Sequence, residues 1–573
     1  MLVENKTKPK KTNLHFSPHP AGEMAQFVET LKARGFEGEA DIREETLELY
    51  SHDASLFELK PRMVVYPRNA EDLKRLVVST YFCRQDTPRL SLTARSAGTC
   101  MSGGAINDSV VIDFTHYFKK IEKVSSSSAQ VQPGVFYRDF EKATLTKKAL
   151  LPTFPASREL ATVGGMVANN SGGEKSLQYG KTEDFVKKLE VVLSDGQKYQ
   201  LKPLNRSELK AKMKQKNFEG ELYQQMFELL EKNYDKVKAA KPKVSKNSTG
   251  YNLWDVWDRD SGVFDMTKLF VGSQGTLGLI SDIHFKLVPK EPHSGVLVCF
   301  MKDLKGLGEL INTVLQTKPA SFEAFDNYTL MLALKFFPYF RKTLGWGGLV
   351  KLAFQLTPDA LLLFRGIPKM VLLIEYTGET SEEVQQKVHA MRLALQPFKL
   401  QAMEEDATEN KAWKFRIMRR ESFNLLRKKV KDKHTAPFID DLVVPPPYLP
   451  EFLPKLQKII KKYKLMATIA GHMGDGNFHV IPLMKIEDPK ERAKLRPAMK
   501  EVNELVLSYG GSLSGEHNDG MIRGPWLEEM YGKEIFKLFK QTKKIFDPHN
   551  IFNPHKKTDA TWDFTMSHIR QHF

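Results

Sequence analysis

Residues 95–105, Arg95-Ser96-Ala97-Gly98-Thr99-Cys100-Met101-Ser102-Gly103-Gly104-Ala105, follow a short apolar strand and carry small side chains almost throughout. Small residues let backbone N–H groups converge on an anion, which is how a peptide nest cradles a pyrophosphate. No Gly-Lys-Ser/Thr ends the stretch, so it is not a Walker loop, and it lacks the Gly-x-Gly-x-x-Gly order of a Rossmann turn. Alone it reads equally well as an ordinary glycine-rich turn.

Two further stretches tip that balance. Pro155 to Gly180 carries Thr162, Gly164, Gly165, Asn169, Ser171 and Gly172 and ends on Tyr179-Gly180, and Val271 to Ile280 carries Gly275, Gly278 and Ile280. Three such loops on one scaffold favour a long, multi-part ligand threaded past exposed backbone, which is a dinucleotide rather than a lone phosphate.

Around these loops, short apolar strands (63–66, 90–95, 110–114) alternate with helical pieces such as 72–82, an α+β pattern that runs to about Val288. From Gly295 a new alternation begins, through 296–300 and 371–376, and continues beyond 480. With 573 residues the chain has room for roughly two to four domains. We read a lead-in over 1–50, a ligand-binding domain over 51–290 with a polar helical insertion at 200–245, a second domain over 295–540, and a terminal segment over 541–573. Within the second domain, 328–374 is apolar but broken by Lys335, Arg341, Lys342, Lys351, Asp359, Arg365 and Lys369. It is too interrupted for a spanning helix, and suits either an interfacial amphipathic segment or a buried helical pair, including one at a homodimer interface.

Lysine plus arginine (86) against aspartate plus glutamate (69) leaves a charge of +17, which favours anionic partners. Much of the excess lies in the tail from Lys6 to Lys11 and between Lys202 and Lys246, which reads as a solvated face. With no zinc-finger spacing and no aromatic-basic signature, nucleic acid is excluded as the expected partner. Three distant cysteines (Cys83, Cys100, Cys299) supply neither a disulfide framework nor the four thiolates of an iron–sulfur cluster, so no cluster is expected on this chain. A reducing compartment is expected, and the cytoplasm is the default. No apolar run follows the basic N-terminus, so no secretory signal is expected.

The second domain carries the chemistry. Strand-like runs at 465–472 and 478–482 flank Met473-Gly474-Asp475-Gly476-Asn477. If Asp475-Gly476 is a two-residue hairpin turn, His472 lies directly opposite His479, at a distance suited to sharing a metal. Further on, Ser514-Gly515-Glu516-His517-Asn518 sets a carboxylate beside an imidazole. Neighbours in extended chain point opposite ways, so Glu516 is assigned as a third metal ligand and His517 as a base aimed at substrate.

Taken together, the three loops resemble the FAD-binding domain of the vanillyl-alcohol oxidase superfamily, whose fold is of the PCMH type. The terminal run from Ile545 to Pro554, with Asn553, resembles that family's flavin-side segment. Gly471 to His479, which includes Asn477, resembles the Gly-His-x-Gly-Asp-Gly-Asn-x-His motif of the branch that oxidises D-2-hydroxy acids: D-lactate, glycolate and D-2-hydroxyglutarate dehydrogenases. Asn518 stands where that branch has glycine after its Ser-Gly-Glu-His. The resemblance implies an α+β fold: a two-subdomain FAD-binding domain, a cap domain with an antiparallel sheet, and a C-terminal segment returning to the flavin. It also implies non-covalent FAD, since the first loop has no His and Cys100 sits inside the nest.

The mechanism this resemblance implies uses a divalent metal, zinc or manganese, on His472, His479 and Glu516. His517 takes the hydroxyl proton, and Arg419 and Arg420, or Arg416, clamp the substrate carboxylate. D-2-hydroxyglutarate enzymes carry a lysine where this chain has Ile439, which favours D-lactate or glycolate. The electron acceptor is external: oxygen, a quinone, a separate iron–sulfur protein or an electron-transfer flavoprotein. Quinone would suit a peripheral membrane contact through 328–374, at the inner face of the membrane. A non-redox transferase of the alkylglycerone-phosphate synthase kind is the competing reading.

Overall fold

A computed structural model describes residues 16–17, 22–327, 329–331, 366–406 and 432–571. Most of the apolar 328–374 segment, and Arg416, Arg419 and Arg420, lie outside the described residues. The fold is α+β and is built on three main sheets.

The first sheet runs in the order Phe16–Ser17, Glu39–Asp41, Met63–Tyr66, Val110–Asp113, Leu92–Arg95, with the last three strands parallel. Strands covered on both faces read as unbroken apolar runs, as Met63-Val64-Val65 and Val110-Val111-Ile112 do here. The helix Ala70–Cys83 buries Leu73, Leu76 and Val77, and the Asn69 side chain caps its start by accepting from Asp72 N at 3.0 Å, a contact worth about 1 kcal/mol. The second sheet is antiparallel in the order Lys198–Leu201, Val186–Val192, Leu279–Lys286, Ser128–Val131, Ile121–Val124. The first glycine-rich loop leaves strand Leu92–Arg95, the second spans the short helix Val163–Asn169, and the third leads from helix Thr267–Phe270 into strand Leu279–Lys286.

The third sheet is wholly antiparallel. Its main path runs Leu400–Asp406, His293–Met301, Met370–Gly378, Ser321–Asp326, Met466–His472, Asn477–Met484, His434–Thr435, and Leu442–Val443 also pairs with Asn477–Met484. Helices Leu307–Gln316, Ser381–Ala394, Leu449–Lys462 and Leu495–Ser508 bury their apolar faces in the same core. The chain then turns back: helix Leu527–Phe546 packs Ile535, Phe536 and Phe539 against the core of the second sheet, and Ile551 and Phe552 enter the core of the first. Asp547 pins this return, accepting from Ile551 N, Phe552 N and Lys543 Nζ at 2.6–2.9 Å.

The polar 200–245 stretch forms helices Arg206–Met213, Phe218–Lys232 and Tyr234–Ala239, which bury Leu222, Tyr223, Met226 and Leu230 while their lysines face outward. Its far end departs from the solvated reading: Lys246 is only 1% exposed.

Candidate functional site

The hairpin between the two motif strands is not the two-residue turn expected. Met473–Asp475 forms a single 3-10 turn and Gly476 completes it at φ 65°, so the register pairs His472 with Asn477 and Ala470 with His479. Glycine is required at the end of this turn, because a Cβ on Gly476 would lie 1.8 Å from the Val444 carbonyl and the left-handed φ suits glycine. His472 and His479 are therefore diagonal rather than directly opposed, yet on the same face, with ring centroids 5.6 Å apart.

Glu516 comes to meet them. His472 Nε2 lies 3.3 Å from its Oε1 and His479 Nε2 lies 3.9 Å from its Oε2. One ligand atom from each of the three residues can be chosen so that all lie within 4.8 Å of one another. Both histidines turn Nδ1 the other way, onto a buried carboxylate: His472 on Glu323 Oε1 at 2.6 Å, His479 on Asp440 Oδ1 at 3.2 Å. Such backing fixes the ring and leaves Nε2 as the ligating nitrogen. Two imidazoles and a carboxylate, two of the three backed in this way, fit a divalent ion of the zinc or manganese kind.

His517 stacks on His479 at 5.0 Å and sets its own Nδ1 2.5 Å from Asp440 Oδ2. One buried carboxylate thus orients two imidazoles. Asp441 builds the loop beneath, accepting from Ser514 Oγ, Glu516 N and His517 N at 2.5–2.8 Å, and from Asn477 Nδ2 at 3.0 Å. Asn477 is fully buried and supports Asp441, while Asn518 adopts φ 65° and donates to Gly272 O and Asn169 O. That φ accounts for the expected glycine, and Asn is among the few other residues that tolerate it.

Electrostatics bind the group together. Glu323, Asp440, Asp441, Asp475 and Glu516 are buried, and among the described residues only Lys181, Lys246 and Arg523 are buried cations beside them, two positive charges short of balance. Burial alone would lower the His472 and His517 imidazoles, but Glu323 in the first case and Asp440 with Asp441 in the second carry both up to about 9. Burial pushes the Glu516 carboxyl up, and Lys246 and His472 outweigh it, holding it well below the usual range. Asp440 is likewise held low against its burial, by His517 and His479.

The glycine-rich loops converge on the same place. Ser102 Oγ donates to His517 O at 3.1 Å, and Gln274 links all three loops, donating to Ser102 Oγ at 3.2 Å and Asn169 Oδ1 at 3.3 Å while accepting from Gly520 N at 2.8 Å. Asn553 ties the terminal segment to Gly104 O and Gln274 O. Among the described residues no carbonyl accepts from the amides of Ser96 to Met101, and Gly98 and Gly103 hold φ 66° and 78°. A row of unclaimed amides on such a backbone fits an anionic, extended ligand such as a dinucleotide. A Cβ on Gly165 would lie 3.6 Å from Ser96 Cβ, so the first two loops approach each other there.

Not every expected residue points into this junction. Arg95 folds back on the carbonyls of His52 and Ala105, Thr162 caps its own helix by accepting from Gly165 N, and a Cβ on Gly164 would strike Pro133. Ala97 and Thr99 lie along the first loop, Gly172 lies beside Glu516, and Cys100 is buried with its Sγ accepting from Gly104 N. Ser171 O accepts from Thr182, Tyr179 reaches Glu291, and Gly180, Gly275 and Gly278 take positive φ, with Ile280 in strand Leu279–Lys286. Sequence reasoning missed Lys246, Glu323, Asp440, Asp441, Gln274 and Lys181. Lys181 donates to Asn247 O and Gly515 O from full burial, which pulls its ammonium down to about 8.

Comparison with known proteins identifies both domains. Residues 61–202 match the family described as FAD binding domain, and residues 290–557 match FAD linked oxidases, C-terminal domain. The chain is 29% identical over 549 residues to D-2-hydroxyglutarate dehydrogenase of Pseudomonas putida, covering 94% of this chain and 52% of that one, so it spans about half the length of that relative. It is 28% identical to glycolate oxidase subunit GlcD of Bacillus subtilis, covering 89% and 91% of the two chains. In fold it is similar to 4-ethylphenol oxidase from Gulosibacter chungangensis, with a TM-score of 0.67 at 15% identity over 96% of this chain and 99% of that one. The chain belongs to the FAD-linked oxidases, with an FAD binding domain followed by their C-terminal domain, and is similar to glycolate oxidase subunit GlcD and to D-2-hydroxyglutarate dehydrogenase.

Proposed function

We propose that this chain oxidises a D-2-hydroxy acid to the 2-oxo acid, with non-covalent FAD along the three loops and a divalent metal on His472, His479 and Glu516. The observation that carries the reading is the set of three imidazoles whose Nδ1 atoms are tied to Glu323 and Asp440. When bound, the flavin supplies a hydride acceptor and the metal a Lewis acid for the substrate's hydroxyl and carboxylate.

The chain's own residues do the rest. His517 receives the hydroxyl proton at Nε2, the nitrogen that Asp440 leaves unengaged, and Asp440 stabilises the resulting imidazolium. Asp441 accepts from the backbone N–H groups of residues 516 and 517 and so fixes both side chains beside His479. His472 and Glu516 are buried, while the side chains of His479 and His517 stay 19% and 22% exposed and so within reach of a substrate. Arg419 and Arg420, or Arg416, remain proposed for the substrate carboxylate.

Ile439 packs in the apolar core, while its neighbour Asp440 meets the histidines. An isoleucine there offers no cation to a second substrate carboxylate, which is the ground for D-lactate or glycolate. The name of the Pseudomonas relative supports D-2-hydroxyglutarate as the first acid to try, with D-lactate and glycolate next. We infer an electron acceptor outside this chain, since Cys83, Cys100 and Cys299 are buried in separate places.

Incubation with each D-acid, its L-enantiomer and a dye acceptor, with identification of the product, tests the proposal. Stoichiometric 2-oxo acid from one D-acid alone supports it. A non-redox transferase would leave every acid unoxidised.

A further inference from the structure

The segment from Ser245 to Tyr251 crosses from the insertion helices into the heart of the site. Ser245 Oγ donates to Asp475 O at 3.0 Å in the hairpin turn, Ser248 N to Ser514 O at 2.9 Å, and Gly250 N to Asp519 Oδ2 at 2.8 Å. Tyr251 hydroxyl meets Thr276 Oγ1 at 2.7 Å in the third glycine-rich loop. Within this strap, Lys246 Nζ lies 2.7 Å from Glu516 Oε1, 3.1 Å from Asp475 Oδ2 and 3.3 Å from Gly173 O. One ammonium, 1% exposed, thus touches the proposed metal ligand, the motif turn and the flavin-side loop.

The two oxygens of Glu516 have different surroundings. Oε1 has Lys246 and His472 Nε2 as neighbours, whereas Oε2 faces His479. We propose that Lys246 is a positioning residue that holds Oε1 of Glu516, leaves Oε2 to the metal, and by its fixed positive charge keeps that metal less tightly bound than the ligands alone would hold it. The inference rests on the metal reading of the preceding section.

The electrostatic step is elementary. A fixed ammonium in contact with a ligand carboxylate in a buried site repels an incoming divalent ion, and it neutralises charge that the ion would otherwise balance. Replacing it with an apolar side chain leaves Glu516 and Asp475 without their shared cation. The metal-free protein then loses stability and the metal gains affinity. A merely structural lysine predicts the opposite, because loosening Glu516 weakens metal binding.

The test uses the full chain loaded with FAD and stripped of metal, titrated with Zn2+ against a fluorescent chelator. Its readouts are the Zn2+ dissociation constant and the unfolding temperature with and without Zn2+. Wild type is expected to take up one ion, Lys246→Arg to bind within about threefold of it, and Lys246→Met to bind at least about tenfold tighter. Lys246→Met should also melt lower without metal and show a larger rise on adding Zn2+. Flavin retention reports the fold, and Lys246→Gln replaces the Met variant if that fails to fold. Unchanged or weaker Zn2+ binding in the charge-free variants overturns the inference while leaving the metal site standing. A wild type that binds no Zn2+ overturns both.

Discussion

The Asp440 carboxylate lies 2.5 Å from Nδ1 of His517, and its second oxygen lies 3.2 Å from Nδ1 of His479. A fully buried acid shared by two stacked imidazoles makes the proposed base and the proposed metal ligand mechanically one unit. This relationship gives the first prediction. His517 must be neutral to take a proton, and Asp440 is the largest of the charges that raise its pKa to about 9 against the effect of burial. Activity should therefore rise with pH as His517 deprotonates, and Asp440→Asn should move that rise to lower pH. It should also lower the plateau rate by about 10–100-fold, because the ring loses its orienting acceptor. A pH–rate profile with single-turnover kinetics checks both effects.

The charge deficit gives the second. Two imidazoles raised to about 9 are protonated at about pH 7.5 in the metal-free protein, and one divalent ion supplies the same two charges. Metal uptake near that pH should release one to two protons, measurable by calorimetry in buffers of different ionisation enthalpy. Affinity should fall as pH drops, because a proton then competes for the ligand nitrogen of His472 and a protonated His517 beside the site repels the ion. Chelation should lower the unfolding temperature by the amount that mass action sets for the metal concentration used.

Removing the base separates chemistry from binding. His517→Gln should keep FAD and metal content, since its ring is not among the three proposed ligands, while slowing oxidation by about 10²–10⁴-fold. His472→Ala should lose metal and activity together. Metal analysis alongside steady-state rates distinguishes them.

Asn518 gives a backbone test. At φ 65° a Cβ is strained, so Asn518→Gly should be more stable than Asn518→Ala by about 1–2 kcal/mol, the reverse of the usual order in regular helix or strand. Both lose the bonds to Gly272 O and Asn169 O and should hold FAD more weakly than wild type. Denaturant unfolding and flavin retention measure the two effects separately.

Much of this is legible in the chain because it is written locally. Small-residue runs after strands mark the three loops, apolar alternation marks the strands, and His472, His479, Glu516 and His517 sit in two short motifs. The hairpin register is not legible. Asp475-Gly476 looks like a two-residue turn, but Gly476 must tuck beneath the Val444 carbonyl and Asp475 is drawn to Lys246, contacts that come from distant segments. The carboxylates behind the histidines are invisible for the same reason: Glu323 is 149 residues from His472 and Asp440 is 77 from His517. Lys246 closes a lysine-rich stretch whose other members are solvated, and its one distinguishing sign is the Ser-Thr-Gly-Tyr turn at 248–251 that ends the run. The polar pattern describes the face of the insertion, not its last residue.

The most direct test of the whole account is anaerobic. The purified FAD-loaded protein is mixed with D-2-hydroxyglutarate, D-lactate, glycolate or L-lactate, with and without prior chelation, and the flavin absorbance is monitored. The account predicts that at least one of the D-acids or glycolate bleaches the flavin, that L-lactate does not, and that chelation abolishes the bleaching until a divalent metal is restored. A flavin that none of these acids bleaches in the metal-loaded protein, or one bleached equally well after chelation, would contradict it.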